Sequence, residues 1–150
     1  MTSEILPIAS GRVDRAWLSL AGRLLLASIF IVSGFRKIGD MDGVVHYMAG
    51  NGIPAPGLLL PPAIVFELAG GFLLAAGLWT RSTATALLGW TSILAVIFHP
   101  FWAADAKQYS LQLNLFLFHL ETAGGLIYIL AHGAGRLSVD RRWFERRAGR

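Results

Sequence analysis

Residues 63–81 read AIVFELAGGFLLAAGLWTR. The run is nearly all apolar and long enough to cross a bilayer core as a helix, yet it holds one acid, Glu67. Gly71 and Ala75 follow Glu67 at four-residue intervals, so an acid and two small residues share one helix face. Trp79 and Arg81 close the run with an aromatic ring and a cation, both suited to a membrane–water interface. A carboxyl at mid-membrane costs at least about 2.5 kcal/mol, so it faces a partner or a cavity. Small residues beside it let a second helix backbone come close. The stretch predicts a transmembrane helix with a polar group aimed into the protein.

The whole chain has the same character. Of its 150 residues, 55% are hydrophobic and only 15% charged, which is membrane composition rather than that of a soluble domain. The length predicts one membrane domain over residues 1–150. A net charge of +4 invites a nucleic-acid reading, but the cations sit at helix ends and in the tail, without a groove-tracking or stacking pattern. The sequence has no cysteine. That excludes disulfides, thiolate metal sites, iron–sulfur clusters held by this chain and the cysteine-pair chemistry of a small thiol oxidase. No metal or flavin signature is present either.

Working outward, the hydropathy pattern predicts an all-α, four-helix membrane bundle with spans at about residues 16–35, 58–79, 82–98 and 111–131. Residues 1–15 read as a polar lead-in. The first span resembles a signal peptide, but it ends in SGFRKIGD instead of a small-x-small cleavage site, and further spans follow. Between the first two spans, Asp40 is placed to cap a short helix carrying Met41, Val44, Val45 and Met48 at helical spacing, expected to lie at the membrane interface. The short link after the second span makes the second and third spans an antiparallel hairpin. With both termini in the cytoplasm, the inner flanks hold nine cations, six of them in the basic tail 136–150, against Arg36, Lys37 and Lys107 outside. That asymmetry predicts a multi-pass protein of a bacterial inner membrane, both termini cytoplasmic.

Each span carries a polar or small stripe. These are Arg23, Ala27, Phe30, Gly34 and Lys37 in the first, and Glu67, Gly71, Ala75 and Leu78 in the second. Thr85, Gly89, Ser92, Val96 and His99 follow in the third, and Asn114, Leu117, Glu121, Gly124 and Tyr128 in the fourth. Helices in lipid turn such faces inward. At 1.5 Å per residue, Arg23 is within reach of either Glu67 or Glu121, and Lys37 and His99 lie above Glu67 toward the outer end. The expected site is a pocket walled by Lys37, Glu67, His99 and Asn114, with Glu121 nearby. An Arg–Glu pair that only fixes helix register is the plainer alternative for the charges. His99 as a headgroup-level histidine and His46 as a surface one are the plainer alternatives for the imidazoles. His119 is about 200° from Glu121 around the helix, so the two face different surroundings. A haem held by His99 and His119 is disfavoured because the two are expected at unmatched depths.

Four segments together resemble the DoxX family of small four-span bacterial membrane proteins. They are RLLLASIFIVSGFRKIG (residues 23–39), GIPAP (52–56), FELAGGFLLAAGLWTR (66–81) and GAGRLSVD (133–140), and the resemblance extends over residues 23–140. It implies a quinone-linked redox setting, since the family includes the large membrane subunit of thiosulfate:quinone oxidoreductase and members of oxidative-stress complexes. By position, the family's intramembrane arginine and acid match Arg23 and Glu67, and its post-helix lysine matches Lys37. This chain departs in the last span, where FHLET puts His119 and Glu121 in place of a Lys–Asn pair. A relative's substrate therefore does not transfer.

The resulting expectation is a subunit or partner in electron or proton transfer to the quinone pool. Glu67 and Arg23 are the reactive pair, and Lys37, His99, Asn114 and Glu121 bind a quinone or anionic head. Its partners would be the lipid bilayer, a soluble or membrane redox protein and a second copy of the chain. A small proton-coupled carrier and a non-catalytic anchor working through the basic tail are the rival expectations.

Overall fold

The computed structural model describes residues 15–148, apart from the side chains of residues 144 and 146–148. The expected N-terminal lead-in lies outside those residues, as do Arg12 and Arg150, two of the nine inner-flank cations. The described chain is helical, with no strand. Its helices are α1 (Arg15–Gly39), α2 (Met41–Gly50), α3 (Pro56–Ala76), α4 (Thr80–Phe98), α5 (Tyr109–His132) and α6 (Val139–Ala148), with one 3₁₀ turn at Phe101–Ala103. Four segments are long and apolar enough to span a membrane: α1, α3, α4 with its 3₁₀ extension, and α5.

Local chemistry sets the boundaries. The Asp40 carboxylate accepts from the Gly43 N–H at 3.1 Å, capping α2 as its sequence predicts. Pro56 occupies the first turn of α3, where its missing N–H costs nothing. Gly77, at φ 67°, ends α3: its N–H and that of Leu78 return to the Leu74 and Leu73 carbonyls. The link to α4 is thus residues 77–79, slightly earlier than the composition suggests, and α3 and α4 are antiparallel.

The helices pack as two antiparallel pairs, α1 on α3 and α4 on α5, with α3 and α4 joining the pairs and α1 and α5 meeting only sparsely. Glycine makes the first pair close. A Cβ on Gly71 would stand 2.7 Å from Ile31 Cγ1 and 3.2 Å from the Ala27 carbonyl oxygen, so any larger residue would force α1 off α3. Ala27, Phe30, Leu74, Ala84, Leu87, Leu126 and Ile129 form the core between the pairs.

The expected stripes are borne out on α1 and α3. Arg23, Ala27, Phe30 and Gly34 are buried, as are Glu67 and Gly71. On α4 and α5 they are overturned. Thr85, Gly89, Ser92 and Val96 are exposed, while Thr83, Ala84, Leu87, Thr91 and Ala95 face inward. Asn114, Leu117, Glu121, Gly124 and Tyr128 are likewise exposed, and Thr122, Ala123, Leu126 and Ile129 are buried. The physical reason is that an isolated hydroxyl need not turn inward. Thr85 donates to the Arg81 carbonyl at 3.0 Å and Ser92 to that of Leu88 at 2.8 Å, satisfying themselves within their own helix.

The basic tail is structured where it is described. The Asp140 carboxylate, at the start of α6, accepts from the Trp79 N–H at 2.8 Å and from the Thr80 N–H and hydroxyl at 2.9 and 2.7 Å. It thereby caps α4 from across the chain and holds Trp79 at φ 46°, a left-handed conformation that a non-glycine residue keeps only when its surroundings fix it. Burial opposes the charge on Asp140, but the Thr80 and Trp79 donors, with the positive Arg23 nearby, outweigh it and hold the carboxyl below its ordinary 3.8. A carboxyl depressed on folding stabilises above its unfolded value, and that contribution vanishes as pH falls through the folded value. We therefore expect α6 to release only below the ordinary range, in a step absent from Asp140→Asn, whose tail should already be protease-sensitive at neutral pH. Limited proteolysis across pH reads both.

Candidate functional site

α1 runs toward Gly39 and α3 runs antiparallel beside it. Side chains on a helix lean toward its N-terminus, so Lys37 leans down α1 while Glu67 leans up α3, and their tips meet. Lys37 Nζ donates to Glu67 Oε2 at 2.6 Å and to Ser33 Oγ, one turn deeper, at 2.5 Å. The second carboxylate oxygen of Glu67 accepts from Trp90 Nε1 at 3.0 Å. Glu67 is 2% exposed and Lys37 23%, so the acid is enclosed while the lysine stays partly accessible.

The same leaning overturns the expected Arg23 pairing. Arg23 lies on α1 below Glu67 and projects away from it. Its Nε donates to the Ala75 carbonyl at 3.3 Å, its Nη2 to Leu137 at 2.7 Å, and its Nη1 to Ala134. Arg23 therefore ties together the end of α3 and the segment leading into α6, with Asp140 as the acid acting on it. It contacts neither Glu67 nor Glu121. Gly77 belongs to this clasp as well: a Cβ there would stand 2.8 Å from the guanidinium.

Beside the Lys37–Glu67 pair lie two histidines. His119 and His99 lie with ring centroids 5.2 Å apart and planes tilted by 31°, which corrects the expectation of unmatched depths: His99 stands at the C-cap of α4, within reach of His119. Each is oriented through Nδ1, His119 by Thr91 Oγ1 at 2.9 Å and His99 by Gln112 Oε1 at 3.0 Å. With the Gln112 amide oxygen facing it, His99 Nδ1 is the donor, which leaves Nε2 turned to the cavity as an acceptor in the neutral ring. Lys37, Glu67, His99, His119 and Thr91 all line one cavity of about 930 Å³.

Of the sequence-derived residues, the structure therefore unites Lys37, Glu67 and His99. It sets Arg23 at the other end of the bundle and turns Asn114 and Glu121 outward. Sequence reading missed His119, Trp90, Thr91 and Gln112. A signal for His119 existed: it lies in phase with Thr122, Ala123 and Leu126, the alternative stripe on α5.

A helical membrane bundle with an ion pair and two imidazoles sunk at one end is a four-span integral membrane protein built around a polar pocket. The DoxX family model matches residues 18–100. Two Escherichia coli K12 proteins are similar along most of their lengths. Inner membrane protein YphA is 34% identical over 85% of this chain and 91% of its own, and inner membrane protein YqjF is 33% identical over 81% and 88%. The chain belongs to the DoxX family. No solved structure matches it.

Proposed function

We propose that this protein is the membrane-embedded partner in a quinone-linked redox step, with the head of a quinone or quinol seated between the Lys37–Glu67 pair and the neighbouring His99 and His119 rings. One observation carries the reading: an ion pair and two oriented imidazoles converge on a cavity of about 930 Å³ within the membrane-spanning part of the bundle. Quinone, when bound, supplies chemistry in which two electrons and two protons move together, and its ring oxygens need hydrogen-bond donors and proton acceptors at close range. Here Lys37 would donate to one ring oxygen while Glu67 holds the ammonium in place. His99 Nε2 would take or return a proton, and His119 would extend that path inward. The electrons would come from or go to a partner that carries the redox centre.

The cation asymmetry of the sequence supports a cytoplasmic-membrane orientation with both termini inside and this pocket toward the outer half. Glu121 and Asn114, polar groups on the hydrocarbon-facing side of α5, fit contact with another polypeptide, either the redox partner or a second copy.

The test is direct binding of ubiquinone and menaquinone to the purified protein in detergent. Wild type should bind saturably, and His119→Ala and Glu67→Gln should each weaken binding by at least about tenfold, the loss of roughly one good polar contact. Absence of binding by the wild type would remove the quinone role and put a proton-coupled carrier ahead.

A further inference from the structure

The cavity is not closed on its side. Its lip includes Ile29, Val32 and Phe118, which are 46%, 55% and 60% exposed. Ile29 and Val32 belong to α1 and Phe118 to α5. The two helices come close at Gly125, where a Cβ would stand 2.8 Å from Leu26 Cδ2. Contacts between α1 and α5 are sparse as a whole, whereas α1 lies closely along α3.

The depth of this gap decides what it opens to. Phe118 is nine residues beyond Tyr109 in α5, about 14 Å into a helix that crosses a core about 30 Å thick. A mouth at that depth faces acyl chains, not water. Around these three residues the lip is apolar apart from Ser28, whose hydroxyl is already bonded to the Leu25 carbonyl at 2.7 Å, while the charged lining residues Arg36 and Asp40 lie at the end of α1 and just past it. The floor is polar: Lys37, Glu67, His99 and His119.

We infer that the α1–α5 gap is a lateral portal, and that the ligand is a tailed amphiphile which enters from the hydrocarbon head-first and leaves its tail between Ile29, Val32 and Phe118. This rests on the quinone-head reading of the pocket and adds the class of molecule and its route. A water-soluble head would need no such mouth. A tailed one has to cross it, because drawing the tail through the aqueous end would expose its methylenes to water.

The chain lacks cysteine, so a pair can be placed cleanly. Ile29→Cys with Phe118→Cys, bridged by a short bis-maleimide, bars the mouth without touching the polar floor. Association rates would be measured by stopped flow for a decyl-tailed benzoquinone and for its tail-less head, before and after bridging. The tailed compound should slow by at least about tenfold and the tail-less one by less than about twofold, as expected of a gate on one route. Val32→Trp, which narrows the mouth by bulk, should discriminate in the same direction and covers a bridged protein that fails to fold. Equal slowing of both compounds, or of neither, while both still bind, would overturn the portal and leave the pocket reading intact. Failure of both compounds to bind the unbridged protein would overturn the two together.

Discussion

Arg23→Leu should cost this protein about 3 kcal/mol or more of stability and leave ligand affinity unchanged in the fraction that remains folded. The side chain is 3% exposed and donates to three backbone carbonyls from two separate parts of the chain. A buried acceptor stripped of its donor costs about 1–3 kcal/mol, and three lie here against a total stability of about 5–15 kcal/mol. Arg23→Lys should recover less than half of the loss, because one ammonium cannot reproduce a planar fork reaching Ala75, Ala134 and Leu137 together. Unfolding in a graded SDS series gives the stability, and quinone binding at each point gives the affinity. A selective loss of affinity with stability intact would return Arg23 to the site.

At the opposite end, Lys37→Met should be more damaging than Glu67→Gln, by about 3 kcal/mol against about 1–2 kcal/mol. The asymmetry follows from exposure. Removing the lysine leaves a carboxylate that is 2% exposed with Trp90 as its remaining donor. Removing the acid leaves an ammonium on a long stem that is 23% exposed, with Ser33 still in contact and water within reach. The double variant should therefore be no less stable than Lys37→Met alone, a coupling read from the cycle of four proteins. All three variants should lose the ligand. Strict additivity would mean that the two groups do not depend on each other in the membrane.

The fold was readable where a charge and small residues within a span shared one face. Arg23, Gly34 and Lys37 on α1, and Glu67 and Gly71 on α3, each left a single face that had to be inside, and it is. On α4 and α5 small and hydroxyl residues occur on both sides, and a hydroxyl that bonds its own helix carries no information about direction. Thr85 and Ser92 therefore read like Thr83 and Thr91. The site was legible as far as its acid, its lysine and one histidine. The second histidine was masked by its neighbour: Glu121, as a charge, looked more in need of a partner than His119, two residues before it. Arg23 was misassigned because depth alone was weighed. The direction in which a side chain leaves its helix separated it from Glu67 and brought Lys37 down onto the acid.

The pairing of helices also has a mechanical meaning. α1 with α3 and α4 with α5 can be regarded as two arms, since each pair is closely packed and the seam between α1 and α5 is sparse. Arg23 and Asp140 pin those arms at one end, binding α3, the start of α4 and the lead into α6 into a single knot. Arms pinned at one end move most at the other, as the jaws of a clothes-peg do. Freedom to part is therefore expected around Lys37 and His99, where a visiting molecule would need room, with Trp90 on Glu67 as the tie between the arms nearest that end.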